Sequence, residues 1–352
     1  MTTPPRKPRL QLVPDPDWRL LDGDALRLLP TLEDGSIASV VTDPPYGIGI
    51  KDLAWDGRAI HKAVHQGSER ISASEAFERF TCAWASECLR LLPPGGYLVA
   101  FAAPRMVHRL VSGIENAGFE IRDQLLWLYG SGVPKSQRIP GGRGTALKPA
   151  YEAIILARRP LQQPLDATLA THGTGALNIE ATSILDRDDT EGTVWRWPAN
   201  LVVSHHDGCT PRRCHPDCPR ALIDRQHDGD PPSRLFYCPK PSPAEREAGC
   251  EQLPAKSFQV FSSTSGGRPR RNIHPTVKPL ALMRWLTRLV TPAGGLVLDP
   301  FTGSGTTGAA ALLERRHFLG IEQEASYAAI ARARISHWHD QAVTAAEERH
   351  AA

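Results

Sequence analysis

The stretch Thr42-Asp43-Pro44-Pro45-Tyr46-Gly47 sets a carboxylate, a fixed carbonyl and an aromatic face within a few residues of one another. The apolar run before it, Ile37-Ala38-Ser39-Val40-Val41, predicts a buried strand. Two prolines end that strand, because neither can donate to a ladder. They also stiffen the turn, so the Pro44 carbonyl points in one direction. At the carboxyl end of a strand in an open α/β sheet, where ligands bind, this set suits a flat ring that carries an exocyclic amine. Tyr46 stacks on the ring, and Asp43 and the Pro44 carbonyl accept hydrogen bonds from the amine. A plain strand-ending turn has the same tetrapeptide, so the rest of the chain has to decide.

A second set lies near the other end. The strand Leu296 to Asp299 is followed by Pro300-Phe301-Thr302-Gly303-Ser304-Gly305-Thr306-Thr307-Gly308, which opens a helix. Gly303, Gly305 and Gly308 match the spacing of a dinucleotide fingerprint, and Glu322 closes the next strand where a ribose-binding carboxylate would stand. A nicotinamide-dependent oxidoreductase is one class this admits. Asp299 argues against it: at a strand end a carboxylate repels a pyrophosphate and welcomes a cation. Only about forty residues follow Gly308, too few for the remaining strands of such a domain unless the chain is permuted. A cationic cofactor with adenine and ribose but no phosphate, S-adenosylmethionine, fits both sets.

A third set is sulfur-rich. Cys209, Cys214 and Cys218 fall within ten residues, beside His205, His206 and His215. Thiolates and imidazoles at short spacing are what tetrahedral zinc selects. A structural zinc would take its fourth ligand from His205, His206 or Cys238; reduced, partly buried thiols are the alternative.

The elements that must position these residues alternate. Leu20 to Asp24 predicts a strand and turn, Ala25 to Leu32 a short helix, Ser74 to Leu92 an amphipathic helix capped by Ser74, and Tyr97 to Ala102 a strand. Arg105 to Ala117 predicts a helix, with Phe119 to Tyr129 and Tyr151 to Ala157 as strands. Leu280 to Val290 predicts a helix, His317 to Ile321 a strand, and Tyr327 to about His339 the last helix. Such alternation gives a mainly parallel sheet with helices on its faces. Residues 51–73 read as a mobile loop. From about 160 to 275 the sequence is irregular and rich in Pro, Gly, His and Cys, too long for a plain loop. Basic stretches without acids flank it: one carries Lys135, Arg138, Arg143 and Lys148, the other Lys256, Arg268, Arg270, Arg271 and Lys278. Together they suggest a surface that follows phosphates.

Composition sets the outer bounds. In 352 residues, 41% of them apolar, there is room for one large α/β domain with an insertion or for two domains. A net charge of +3 makes any nucleic-acid surface a local patch. No run approaches a membrane helix and no apolar leader opens the chain, so a cytoplasmic protein is expected. Seven cysteines, unevenly placed, then point to metal or buried thiols before disulfides.

Taken together, Thr42 to Gly47, His274-Pro275-Thr276-Val277-Lys278-Pro279, Leu298 to Thr307 and Gly320-Ile321-Glu322, in this order, resemble the amino-methylating DNA methyltransferases of the permuted β class. The resemblance covers roughly residues 20–158 and 274–337, and the span between them is similar to that of phage- and prophage-type methylases. It implies a Rossmann-like, circularly permuted fold that uses S-adenosylmethionine, with an inserted target-recognition region. The implied division is a flexible 1–17, a catalytic half at 18–158, the insertion at 159–273, a cofactor-binding half at 274–340 and a flexible 341–352. It assigns catalysis to Asp43, Pro44, Pro45 and Tyr46. The methionine part of the cofactor falls to Asp299, Phe301, Gly303, Ser304, Gly305 and Thr306, with His274 and Lys278 beside it. Asp24 falls to the adenine and Glu322 to the ribose; Trp127 would lie near the target base. The implied partner is double-stranded DNA with its base flipped out; dimers are common in the family, and a cognate restriction enzyme is not readable. Asp at the first position of the catalytic turn goes with adenine N6 in that family, and Ser with cytosine N4, which stays the alternative. No Pro-Cys dipeptide occurs, so attack through a cysteine on cytosine carbon is not expected. A non-catalytic DNA-binding protein of the same fold is the remaining class.

Overall fold

The computed structural model describes residues 17–49, 54–64, 71–129, 138–185, 195–204, 209, 213–216, 218, 221–222, 225, 238–256 and 269–351. Eight strands form one sheet: β1 (Trp18–Asp22), β2 (Ser39–Thr42), β3 (Tyr97–Ala102), β4 (Glu120–Leu128), β5 (Tyr151–Arg158), β6 (Leu201–Val203), β7 (Leu296–Asp299) and β8 (His317–Glu322). Their order across the sheet is β1-β8-β7-β2-β3-β5-β4-β6. Every neighbouring pair is parallel except the two made by β5, which runs against β3 and β4. The parallel strands therefore all end at one edge, and β5 begins there.

Strand side chains alternate between two cores, as a period of two requires. Val41, Val99 and Phe101 face one core, and Val40, Leu98 and Ala100 the other. The first is covered by α8 (Leu280–Val290), α9 (Thr306–Leu313) and the start of α10 (Ala325–Ala351); the second by α3 (Ala73–Leu91) and α4 (Val107–Asn116). The remaining described helices are α1 (Ala25–Leu28), α2 (Arg58–Val64), α5 (Leu165–His172), α6 (Ile179–Thr182) and α7 (Pro243–Glu247).

The structure departs from the expected elements in instructive places. Helix α3 is capped earlier than expected: Ser72, not Ser74, accepts the Glu75 N–H at 3.1 Å. The expected loop over 51–73 holds a 3₁₀ turn, Ala54–Asp56, and α2, whose Ile60 is buried in the second core. Helix α10 does not stop near His339 but continues to Ala351. The span from 160 to 275 is not uniformly irregular. It contributes α5, α6, α7 and the sheet strand β6, and the backbone of Asn178 donates to Leu289 O at 2.9 Å. Within the described residues, no helix is long and apolar enough to cross a membrane.

Trp127 shows why the insertion cannot be separated from the sheet. Its side chain is 2% exposed and lies in the first core, edge-on to Tyr129 with ring centroids 5.3 Å apart. Its indole N–H donates to the Cys238 carbonyl at 3.0 Å. This is a packing role, not the expected place beside a target base. Trp127→Ala should lower global stability by about 3–5 kcal/mol, the usual cost of emptying a core indole. Chemical denaturation should show the loss as one shifted cooperative transition; two separated transitions would mean that the insertion folds independently.

Candidate active site

The strand-end turn is pinned from below. Asp56, fully buried, accepts the N–H groups of Tyr46 at 2.7 Å and Gly47 at 3.0 Å through Oδ1. Gly47 has φ +65°, and a Cβ there would lie 2.6 Å from the Phe77 ring. Only glycine allows the chain to turn so close to α3. Asp56 carries no sequence signal of its own; it sits in the stretch expected to be a loop.

Above the turn, Lys278 joins three side chains from distant parts of the chain. Its Nζ pairs with Asp43 Oδ2 and lies 3.4 Å from Glu152 Oε2, and the Tyr46 hydroxyl donates to the same Glu152 oxygen at 2.9 Å. Burial pulls the Lys278 pKa down, but Asp43 and Glu152 outweigh it and the net shift is upward. The ammonium therefore stays charged. Burial raises the Asp43 pKa, and Lys278 opposes that rise. Tyr46 goes well above its ordinary value through burial, then through Asp43 and Glu152, so it remains a phenol. The other carboxylate oxygen, Asp43 Oδ1, is buried and has no hydrogen-bond partner among the described residues. A buried acceptor with no donor costs about 1–3 kcal/mol unless something arrives to fill it.

The glycine-rich loop is held just as tightly. Asp299, 1% exposed, accepts from Thr42 Oγ1 at 2.6 Å, from Thr307 Oγ1 at 2.6 Å and from Phe301 N–H at 3.1 Å. Burial still pushes its pKa up to about 6. Glu322 accepts from the N–H groups of Gly303 at 2.7 Å and Glu324 at 2.8 Å, and burial pushes it up to about 7. Arg334, fully buried on α10, donates to Ser304 O at 2.7 Å and to Thr306 Oγ1 at 3.0 Å. His274 packs edge-on against Tyr327 with centroids 4.6 Å apart, and its Nε2 lies 2.7 Å from where a Gly303 Cβ would be. Burial, with Lys278 and two arginines nearby, lowers the His274 pKa to about 3, so the ring is neutral.

One cavity joins the two sets. All the residues expected at the catalytic turn and the cofactor site line it, except Gly305. Gly305 has φ +78° and a Cβ there would meet Ala331 Cα at 2.9 Å. Its glycine serves the close approach of α9 to α10. Six carboxylates line the cavity, from Asp24, Asp43, Asp56, Asp299, Glu322 and Glu324, against one ammonium, Lys278. Such a cavity favours a cation and disfavours a pyrophosphate. Asp24 also caps α1, accepting the Leu26 N–H at 3.0 Å. Sequence reading missed Asp56, Glu152 and Arg334. Of these, only Glu152 left a trace, as an acid at the start of the strand that follows the basic stretch.

Away from the cavity, the Sγ atoms of Cys209, Cys214 and Cys218 lie within 4.8 Å of one another. Cys238 is not with them; it is buried in the first core. His205 and His206 lie outside the described residues, as do Lys135 and Arg268.

Residues 37–333 match a family described as DNA methylase, of the N6 and N4 type. The chain is 25% identical over 345 residues to the type II methyltransferase M.HindIII of Haemophilus influenzae, covering 86% of this chain and 90% of that one. It is 21% identical over 318 residues to the type II methyltransferase M.HinfI of Haemophilus influenzae, covering 90% and 67%. Among solved structures, the cytosine-N4-specific PvuII DNA methyltransferase superposes with a TM-score of 0.51 at 17% identity, covering 93% of each chain.

The raised carboxyls make stability depend on pH. Glu322 holds its proton more tightly folded, at about 7, than at its ordinary 4.5. The folded state then binds more protons in that interval, so stability falls as pH rises through it and levels off above. Melting temperatures of the ligand-free protein should decline from pH 4.5 toward 7, and Glu322→Gln should flatten part of that decline. An unchanged slope in the variant would show that Glu322 ionises normally.

Proposed function

Because the chain belongs to the DNA methylase family, as its match over residues 37–333 establishes, we propose that this cavity methylates the exocyclic amine of a base in duplex DNA, with adenine N6 as the target atom. The observation that carries this is Asp43 Oδ1, a buried acceptor with no partner among the described residues, beside the Tyr46 ring at the sheet edge. A flipped base stacked on Tyr46 would present its amine to Asp43 Oδ1 and the Pro44 carbonyl. Two accepted hydrogen bonds draw the nitrogen lone pair out of conjugation with the ring and aim it into the cavity. Asp43 accepts most strongly while ionised, and Lys278 favours that form against the effect of burial; Glu152 in turn fixes the Tyr46 hydroxyl. Most of the rate gain is then positioning and placed charge.

The donor we assign is S-adenosylmethionine, which supplies an electrophilic methyl on a sulfonium. The residues fit it. Six carboxylates against one ammonium suit a ligand with two cationic groups. Each Glu322 oxygen keeps a lone pair for a ribose hydroxyl after accepting from Gly303 and Glu324. Asp24, His274, Phe301, Ser304 and Thr306 line the same space.

Residues 18–158 and 274–340 would then be the catalytic and cofactor halves, and 159–273 would recognise the target. Exposed Arg143 and Leu147, on the segment that leads into β5 at the catalytic edge, favour a DNA path on that side. Adenine is favoured over cytosine by the charge on Asp43, which gives the amine a charge-assisted acceptor.

Asp43→Asn should reduce methyl transfer by about a thousandfold or more, the scale on which a placed charge acts, while calorimetric binding of S-adenosylhomocysteine stays near that of the unaltered protein. Nucleoside analysis of methylated duplex DNA should give N6-methyladenine; N4-methylcytosine alone would reassign the base and leave the amine chemistry intact. Lys278→Gln should move the acidic limb of the kcat/KM profile to higher pH, because Asp43 loses the cation that favours its ionised form. A limb that stays in place would remove Lys278 from this role.

A further inference from the structure

The backbone of Cys238 donates to Val203 O at 3.0 Å, so the two ends of the stretch 204–237 meet beside β6. The neck is buried: Val203 is 4% exposed and Cys238 fully buried. Strand β6 runs parallel to β4, so this excursion leaves from the same sheet edge that carries Asp43, Asp299 and Glu322. Its sequence is poor in apolar residues and rich in Pro, Arg, Asp and His. Burial alone cannot hold such a segment. Within it, the thiols of Cys209, Cys214 and Cys218 converge.

We propose that these three cysteines bind a structural zinc ion that orders the excursion. Tetrahedral Zn–S bonds of about 2.3 Å put the sulfurs ~3.8 Å apart, so atoms already within 4.8 Å need only a small contraction. None of the seven cysteines is in a disulfide. The His215 N–H points at Cys209 Sγ at 3.2 Å, and the Cys218 N–H closes a turn on His215 O at 2.9 Å. A backbone N–H aimed at sulfur stabilises the thiolate that a metal needs. Cys238 is not the fourth ligand: its thiol donates to Pro239 O at 3.6 Å, inside the core. Among the described residues, no His, Asp or Glu atom joins the three sulfurs. A metal-bound loop that departs from the catalytic edge is placed to meet DNA, and this part rests on the proposed function. Three thiolates also bind zinc only when deprotonated, so loading should release protons and weaken in acid.

The full-length protein, expressed with added zinc and purified without chelators, should carry about one zinc per chain by elemental analysis. X-ray absorption should give three sulfur neighbours at about 2.3 Å and one lighter atom. Cys214→Ser and Cys218→Ala should each lower the zinc content severalfold, with circular dichroism confirming that the sheet has folded. Zinc well below one per chain, a metal shell without sulfur, or full zinc retention in both variants would each overturn the site. Metal content is read without any methyl transfer, so it stands apart from the function proposed above. Removing zinc from the unaltered protein should leave S-adenosylhomocysteine affinity within about twofold and weaken duplex DNA binding by about tenfold or more. Unchanged DNA affinity would overturn the role of the loop at the DNA while leaving the zinc itself in place.

Discussion

The contact on which the active edge depends is the buried pairing of Lys278 with Asp43. The two residues come from opposite ends of the sequence and meet where β2 ends. Removing one partner of such a pair leaves an uncompensated buried charge, at a cost of about 3–5 kcal/mol. What the pair supplies is alignment: Asp43 cannot rotate freely while the ammonium holds one of its oxygens. The same join is repeated one strand over, where Thr42 donates to Asp299. Two links thus hold the catalytic turn: Lys278 joins it to the His274–Pro279 segment, and Asp299 joins it to the glycine-rich loop.

Around that join, support comes from residues with no catalytic signature. Arg334 lies on the last helix and reaches the carbonyl of Ser304 from behind. Arg246 donates to His274 O at 2.8 Å, and Glu245 accepts the Leu280 N–H at 2.7 Å, capping α8. Helix α7, only five residues long, thereby fixes the segment that carries both His274 and Lys278. It belongs to the span between the two motif-bearing halves of the sequence, so part of that span is scaffold for the site itself.

Much of this could be read from the chain. Strands β3 and β7 and helix α8 fall where periodicity puts them, because long apolar runs bounded by Pro and Gly leave little choice. The two loops at the cavity announce themselves by residue type. What could not be read depends on distance in space. Asp56 looks like one acid in a polar stretch until its carboxylate is seen under the turn. Lys278 stands in a basic run and, by the resemblance, beside the cofactor, but its pairing with Asp43 at 5% exposure is visible only in the fold. Trp127 and Gly305 make the opposite point: an aromatic and a glycine near a site look functional, yet Trp127 packs in the core and Gly305 leaves room for α10. Strand β6 is three residues long and has no pattern of its own; only the neighbouring β4 makes it a strand.

The strand order has a consequence for how the molecule is made. β2 lies between β3, which follows it closely in sequence, and β7, which comes more than two hundred residues later. β1 waits still longer for β8. As the chain leaves the ribosome, both early strands must keep open hydrogen-bonding edges until the last fifth of the sequence appears, at roughly 5–20 residues per second. Contacts this distant in sequence also slow the final closure. The catalytic turn cannot be assembled before Lys278 and Asp299 have been synthesised, so an interrupted chain carries the motif but not the site. For a protein that modifies DNA, activity is thereby confined to chains whose synthesis has passed the glycine-rich loop.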